Sequence, residues 1–198
     1  MNGSSILMND YIILVKSMDY KEKLLNRVPL KILSFLCRVP HTPHYGREIA
    51  RATGVSIGSA NQTLNLLLKM DVAAREKKGQ LYLYRVIAES PLVREFKKFE
   101  NVLDLNGLVL RIQKISNKIV LYGSCATGED TSESDIDLFI ISREKAKVLG
   151  EIRKEARVMK REIKAVIVSG EEYLLMRNKK EELLDELNKG VVLWEKRV

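Results

Sequence analysis

The sequence is poor in the residues that mark a secreted or membrane-bound protein. Its 198 residues include only two cysteines, Cys37 and Cys125, and no motif pairs them. Thiols without a pairing motif fit a reducing compartment and argue against a disulfide scaffold. No apolar run approaches the roughly 18 residues that a membrane-spanning helix needs, and the start of the chain is too polar for a secretory signal. We therefore expect a cytoplasmic protein with no membrane partner.

The residues that are abundant describe a globular protein with a basic surface. Hydrophobic residues make up 45% of the chain and charged residues 30%, which is enough to bury the core of one large domain or two small ones. The formal net charge of +8 makes nucleic acid or nucleotide a plausible partner. Nine basic and four acidic residues lie between positions 28 and 90, so this segment carries +5 of that charge.

The stretch from residue 118 to residue 142 carries the clearest functional signal. Residues 119–122 are an apolar, partly β-branched run, which predicts a short buried strand. The run stops at Gly123 and Ser124, and Gly128 follows a few residues later. Because glycine lets backbone N–H groups approach an anion closely, these residues predict a phosphate-binding turn.

Two acidic residues open the second apolar run of this stretch. Asp135 and Asp137 flank Ile136, and residues 138–141 are apolar. Since side chains alternate between the faces of a strand, both carboxylates should project from one face while Ile136 enters the core. Neighbouring carboxylates repel unless a cation lies between them, and their hard oxygen atoms suit Mg²⁺ or Mn²⁺. A solvent-facing strand with two incidental acids is the alternative.

Residues 28–90 predict a helix, a short second helix that ends near Gly54, a longer third helix and a β-hairpin. This order, with the segment REIARATGVS, resembles the winged helix-turn-helix family. In that family the third helix would enter the DNA major groove, here with the exposed polar residues Ser59, Asn61, Gln62 and Asn65. The hairpin, or wing, would meet phosphates through Arg75, Lys77, Lys78 and Arg85. A dimerisation or protein-docking module is the alternative.

A further helix is predicted from Pro91, with Ser90 as its N-cap. Its apolar residues recur along one side, which we expect to be the packed side, and they are Leu92, Phe96, Phe99, Leu103 and Leu110. We predict that this helix connects two domains. The predicted order is an N-terminal extension (1–27), a winged helix-turn-helix (28–90), the connecting helix (91–116) and a C-terminal domain (117–198).

The C-terminal domain resembles the minimal branch of the DNA polymerase β nucleotidyltransferase superfamily. The motif residues that carry the resemblance are Gly123, Ser124, Gly128, Asp135 and Asp137. The resemblance covers residues 105–198 and extends to the order of helices and strands. It implies an α+β protein in which an N-terminal winged helix-turn-helix precedes a polymerase β-like α/β domain with a small mixed sheet. Archaeal and bacterial proteins that fuse these two domains are similar.

The resemblance also implies an activity. In this superfamily a nucleoside monophosphate passes from a metal-bound nucleoside triphosphate, here expected to be ATP, to a hydroxyl acceptor. Gly123, Ser124 and Gly128 would hold the triphosphate. Asp135 and Asp137 would be catalytic and would ligate Mg²⁺ or Mn²⁺.

One position departs from the pattern of the superfamily. A third acidic residue is usual on the strand that corresponds to residues 161–168, and the best alignment places Lys164 there. Glu162 shares the face of Lys164 and would be the catalytic acid if the register were shifted. A cation at this place would pair with Asp135 or Asp137 and compete with a second metal ion.

Two functions therefore stay open. The first is a Mg²⁺-dependent nucleotidyltransferase with a DNA-binding module. The second is a winged-helix regulator whose transferase-like domain binds nucleotide or a protein without catalysis. Nucleotide and DNA are the expected partners in both, and a toxin-type partner protein, which is common for minimal nucleotidyltransferases, or a homodimer is a further expectation.

Overall fold

Two compact units make up the chain. A computed structural model describes residues 21–176 and 181–196, and the boundary between the units follows Ser90. Most of the predicted N-terminal extension therefore lies outside the described residues. Within the described ranges, no helix combines the length and the apolar character needed to cross a membrane.

The first unit has the fold of a winged helix-turn-helix. Its elements are α1 (Arg27–Arg38), β1 (His44–Tyr45), α2 (Gly46–Thr53), α3 (Ile57–Lys69), β2 (Ala73–Lys78) and β3 (Leu81–Val86). The strands form an antiparallel sheet in the order β1-β3-β2. The three helices followed by a hairpin confirm the predicted element order, and this hairpin is the wing.

Local chemistry fixes the turn between α2 and α3. Gly54 ends α2 in the left-handed conformation, with φ of 65°, which glycine adopts without a steric cost. Ser56 then caps α3, because its hydroxyl accepts a hydrogen bond from the N–H of Ser59 at 3.1 Å. The buried sides of the helices meet in a core that includes Ile32, Leu36, Ile49, Leu64 and Leu67.

The second unit is a mixed sheet with helices. Its elements are α4 (Pro91–Ile112), a 3₁₀ turn (Gln113–Ile115), β4 (Lys118–Tyr122), α5 (Ser124–Thr127), β5 (Ile136–Ile141), α6 (Lys145–Met159), β6 (Ile163–Val168), α7 (Gly170–Met176), α8 (Glu181–Asn188) and β7 (Val191–Glu195). The strand order is β6-β5-β4-β7. β4 is antiparallel to β5 and β7, whereas β5 and β6 are parallel. This small mixed sheet confirms the predicted fold class.

Both faces of this sheet are covered. On one face, Ile136, Leu138 and Ile140 belong to a core cluster with α4 and α6. On the other face, Phe139 and Ile141 pack with partly buried residues of α7 and α8. Since β5 is buried on both sides, its apolar run has no alternation, and only the acidic residues at its start reach the surface.

The packed side of α4 differs from the sequence prediction. Leu92, Phe99, Leu103 and Leu110 are each more than half exposed. The buried residues lie on the opposite side of the helix and are Val93, Lys97, Asn101, Leu105, Leu108, Val109 and Ile112. The prediction was wrong because α4 has two apolar stripes, and the buried one contains a lysine and an asparagine that hydropathy assigns to the surface.

Candidate functional site

The start of β5 presents the two predicted carboxylates on one face. Ile136 lies between them with 1% of its surface exposed, whereas Asp135 and Asp137 are partly exposed. Asp137 shares its face with Phe139, because side chains two residues apart on a strand point the same way. The predicted alternation between buried and partly exposed side chains is therefore present from Asp135 to Asp137.

Gly123 brings the predicted phosphate-binding turn against the carboxylates. It follows β4 with φ of 69° and ψ of −156°, a conformation that is open essentially to glycine alone. A Cβ atom at this position would lie 2.7 Å from Oδ2 of Asp137, closer than real Cβ contacts allow. Tyr122, which precedes this glycine, is the strand partner of Asp137. The turn and the carboxylate therefore form one site.

Gly128 closes the other end of the same turn. It caps the four-residue helix α5 with φ of 75°, and a Cβ atom there would overlap the backbone oxygen of Arg94. The N–H of Thr127 bonds back to the carbonyl of Gly123 at 3.2 Å. Gly128 is thus required for the close packing of the turn on α4, and any contact with a phosphate comes in addition to that role.

Lys164 stands beside the carboxylate pair. In the parallel pairing of β5 and β6, Lys164 is the register partner of Asp137. Its ammonium nitrogen lies 2.5 Å from Oδ2 of Asp135, as expected for a cation at this position. The hydrogen bond to Asp135 and the charge of Asp135 raise the pKa of Lys164, and Glu162, which precedes β6 and is exposed, adds a smaller effect.

Asp137 has the less favourable electrostatic surroundings of the two carboxylates. Burial raises its pKa, and the ammonium of Lys164 opposes that shift, while the negative charges of Asp135 and Glu186 add to it. Burial also raises the pKa of Tyr122, with further contributions from Asp137 and Glu186. Sequence analysis did not identify Tyr122 or Glu186. Tyr122 comes next to Asp137 only when β4 pairs with β5, and Glu186 only when α8 packs on the sheet.

The carboxylate pair fits one divalent cation. Mg²⁺ at nucleotide sites is commonly held by one or two carboxylates together with the phosphates of the substrate. Asp135 and Asp137 supply such oxygen atoms next to the Gly123 turn. Across residues 21–176 and 181–196, however, no group of three or more histidine, cysteine or acidic side chains is arranged to hold a metal ion. The donor set suits a cation that arrives with a nucleotide.

This part of the chain also matches a known family. The family model described as nucleotidyltransferase domain matches residues 105–194. Over these residues the chain is therefore similar to a nucleotidyltransferase domain. No curated protein matches the chain significantly.

Three solved structures show how far the likeness extends. A homodimeric winged helix-turn-helix DNA-binding domain from Mycobacterium bovis, a possible ArsR-family transcriptional regulator, is 24% identical and covers 48% of this chain and 85% of its own, with a TM-score of 0.40. A toxin-antitoxin structure with AMP-PNP is 19% identical over 49% of this chain and 75% of its own, with a TM-score of 0.35. A candidate nucleotidyltransferase from Sulfolobus solfataricus is 14% identical over 56% of this chain and 93% of its own, also with a TM-score of 0.35.

A buried polar network lies next to the candidate site. Asp130 is 6% exposed, and its carboxylate accepts hydrogen bonds from Asn101 and Arg161, each at 3.1 Å. The ammonium of Lys97, which is 7% exposed, lies 3.6 Å from the same carboxylate and also donates to the backbone oxygen of Asp130. Buried charges that are paired and hydrogen-bonded in this way hold a fixed geometry.

This network reaches the carboxylate pair through the backbone. Nε of Arg161 donates to the carbonyl of Ser134 at 2.6 Å, and Ser134 immediately precedes Asp135. Asn101 also donates to the carbonyl of Cys125 in the Gly123 turn at 3.0 Å. The network therefore joins both the Gly123 turn and the segment before Asp135 to α4. Sequence analysis missed it, because charged residues far apart in the chain carry no spacing signal.

Cys125 lies within the nucleotidyltransferase turn without the properties of a nucleophile. Its side chain is buried, and burial raises the pKa of the thiol to about 11. The thiol therefore stays protonated at neutral pH, and the thiolate that would attack or bind a metal does not form.

The surface of the first unit displays most of the residues predicted to contact DNA. Asn61, Gln62 and Asn65 are exposed on α3, and Ser59 is half-buried with its hydroxyl bonded to Ser56 at 2.9 Å. Every basic residue predicted for the wing is exposed, namely Arg75, Lys77, Lys78 and Arg85. The guanidinium of Arg75 lies 4.6 Å above the ring of Tyr82, which orders one cation of this surface.

Proposed function

We propose that this protein transfers a nucleoside monophosphate from a nucleoside triphosphate to a hydroxyl acceptor in a reaction that depends on Mg²⁺. One observation carries the proposal: the Gly123 turn adjoins the carboxylate of Asp137, since a Cβ atom at Gly123 would lie only 2.7 Å from Oδ2 of Asp137. A phosphate held by the turn would therefore also meet the carboxylate that holds the cation. ATP is the nucleotide that we propose first.

Each part of the site has a role in this proposal. Gly123, Ser124 and Gly128 shape the turn whose backbone binds the triphosphate. Asp135 and Asp137 would hold the cation, and a bound Mg²⁺ would neutralise charge on the departing pyrophosphate. The buried Asp130 network keeps the turn and the carboxylates in register while the substrate is positioned. Glu162 remains a candidate for a further acid near the acceptor.

A transfer assay tests this proposal. The protein is incubated with Mg²⁺ and ATP labelled on the α-phosphate, alone and with cell extract as the source of acceptor. We expect labelled product with wild type and a loss of at least about a hundred-fold with Asp135→Ala and Asp137→Ala. Glu133→Ala is the matched control, because Glu133 is an exposed acid on the same loop. Equal labelling in all four proteins would exclude a role for the carboxylate pair.

Lys164 favours a second candidate function. Its ammonium group pairs with the carboxylate of Asp135, which a metal ion would otherwise need as a ligand. The domain could then bind a nucleotide and respond to it without transferring a nucleotidyl group. Isothermal titration with ATP and Mg²⁺ distinguishes the two. Binding to wild type without labelled product under any acceptor condition would support the regulatory function, with DNA or a toxin-type protein as the partner.

We further propose that the first unit binds DNA through α3 and the wing. The basic segment and the exposed cations of the wing support this, since contacts to phosphates release counterions and make binding depend on salt. Lys77→Ala combined with Lys78→Ala should weaken DNA binding and reduce the slope of log K against log salt by about 2. Lys31→Ala combined with Arg38→Ala is the charge-matched control on α1. An unchanged slope in the wing variant would remove the wing from the interface.

A further inference from the structure

Lys164 and the two carboxylates form a charged group at the N-terminal end of β5. The register of the parallel strands places Lys164 directly beside Asp137, and neighbouring strands lie about 4.8 Å apart. The lysine side chain nevertheless reaches across to Asp135, where its nitrogen lies 2.5 Å from Oδ2. Lys164 on β6 is thus the strand neighbour of Asp137 and the ion-pair partner of Asp135.

In this arrangement Lys164 occupies the place beside Asp135 that a second divalent cation would take. Paired catalytic ions lie about 3.5–4 Å apart and share carboxylate ligands. The ammonium of Lys164 already fills the coordination position at Oδ2 of Asp135, and a divalent ion in that space would face a like charge at contact distance. The carboxylate that an additional ion would require is missing as well, because β6 supplies a lysine beside Asp137.

The same arrangement leaves one carboxylate available for a cation. Asp137 has no ion pair within 4.0 Å among the described residues, and it touches the Gly123 turn. Asp137 is therefore the carboxylate of the pair that a divalent ion could reach without displacing an ammonium group.

We propose that the ammonium of Lys164 takes the place of one of two divalent cations, so that the domain binds a single divalent ion at Asp137 beside the Gly123 turn. This inference rests on the proposed function. Lys164, held by Asp135, would supply a fixed positive charge toward the phosphates, and the single ion would enter with the nucleotide. The site would then bind one divalent ion, whereas a site with three carboxylates would bind two.

Counting bound Mn²⁺ by electron paramagnetic resonance tests the inference. Lys164→Asp adds a third carboxylate beside Asp137, and we expect this variant to bind one more Mn²⁺ per chain than wild type, with or without a non-hydrolysable ATP analogue. Lys147→Asp changes the net charge equally on α6, where Lys147 pairs with Glu144, and should bind no additional ion. Circular dichroism and thermal melting confirm that each variant is folded.

The outcomes separate this inference from the proposed function. With the analogue present, we expect one ion in wild type and two in Lys164→Asp. Two ions in wild type, or an equal count in wild type and folded Lys164→Asp, would overturn the inference. Failure of every protein to bind the analogue would instead contradict the proposed function, and the nucleotide-free count would still decide the metal stoichiometry. Lys164→Met, which removes the charge but adds no ligand, should keep the wild-type count and weaken analogue binding about ten-fold.

Discussion

Asp135 and Asp137 have the same side chain and lie two residues apart, but they meet different charges. Asp135 is within 2.5 Å of the Lys164 ammonium, whereas Asp137 is pressed against the backbone of Gly123. Burial and two neighbouring carboxylates raise the pKa of Asp137 despite the nearby lysine. Its ionised form therefore destabilises the fold at neutral pH, and a bound cation would remove that penalty.

Asp137→Asn should raise thermal stability at pH 7 while it abolishes nucleotidyl transfer. Because the pKa of Asp137 is higher in the folded chain than its ordinary value of 3.8, the folded state binds more protons, and this contribution improves as the pH falls through the folded pKa. We expect Tm to rise by roughly 1–3 °C at pH 7, with the difference from wild type shrinking at acidic pH. Differential scanning calorimetry from pH 4 to pH 8 measures it.

Asp135→Asn is the matched variant for that experiment. It removes a carboxylate that forms an ion pair, whereas Asp137→Asn removes one that forms no ion pair among the described residues. Its Tm should stay equal to wild type or fall. A rise of equal size in both variants would show that the two carboxylates simply repel each other and that Lys164 does not distinguish them.

Gly123→Ala should destroy the nucleotide site. The new methyl group would meet Oδ2 of Asp137 at 2.7 Å, in a backbone region that other residues avoid. We expect loss of ATP binding by titration calorimetry and a stability loss of about 2–4 kcal/mol by urea unfolding. Gly54→Ala is the control, because its left-handed position has no atom within 4 Å, and it should cost about 1–2 kcal/mol. Full ATP affinity in Gly123→Ala would refute the role of the turn.

At the scale of the element, the strands of the site were predictable and α4 was not. The apolar run of β4, the glycine after it and the acid alternation of β5 are local patterns, so sequence analysis located Gly123, Asp135 and Asp137. The place of Lys164 followed from the alignment with the nucleotidyltransferase superfamily. The packed side of α4 was misassigned, because Phe99 and Leu103 outweigh Lys97 and Asn101 in hydropathy while the tertiary network buries the polar pair.

The same network makes α4 sensitive to Asp130. Asp130→Asn would leave the buried ammonium of Lys97 and the guanidinium of Arg161 without their counter-charge. Removing one partner of a buried ion pair typically costs about 3–5 kcal/mol, and urea unfolding should show a loss in that range. Glu129→Gln is the neighbouring control, since Glu129 pairs with Arg94 at the surface at 3.4 Å and should cost less than about 1 kcal/mol. Equal small effects would mean that the network is not needed for stability.

At the scale of the whole molecule, each unit has a core of its own, and the two units differ in where their charged side chains lie. Residues 28–90 carry +5 of the net charge of +8, whereas the second unit buries the charged side chains of Lys97 and Asp130. The boundary between the two units follows Ser90. The domain boundary therefore decides which fragment can be studied alone.

A truncation series tests where the second unit begins. Residues 91–198 should unfold cooperatively in urea and bind ATP with Mg²⁺ as the full chain does, because α4 contributes Leu105, Leu108 and Ile112 to the core beneath the sheet. Residues 117–198, which begin at the boundary predicted from the sequence, should lack a cooperative transition, since Ile119, Leu121, Leu138 and Ile140 would lose their cover and become exposed. A cooperative transition in the shorter fragment, with ATP binding intact, would show that α4 is a connector and that the site needs neither Lys97 nor Asn101.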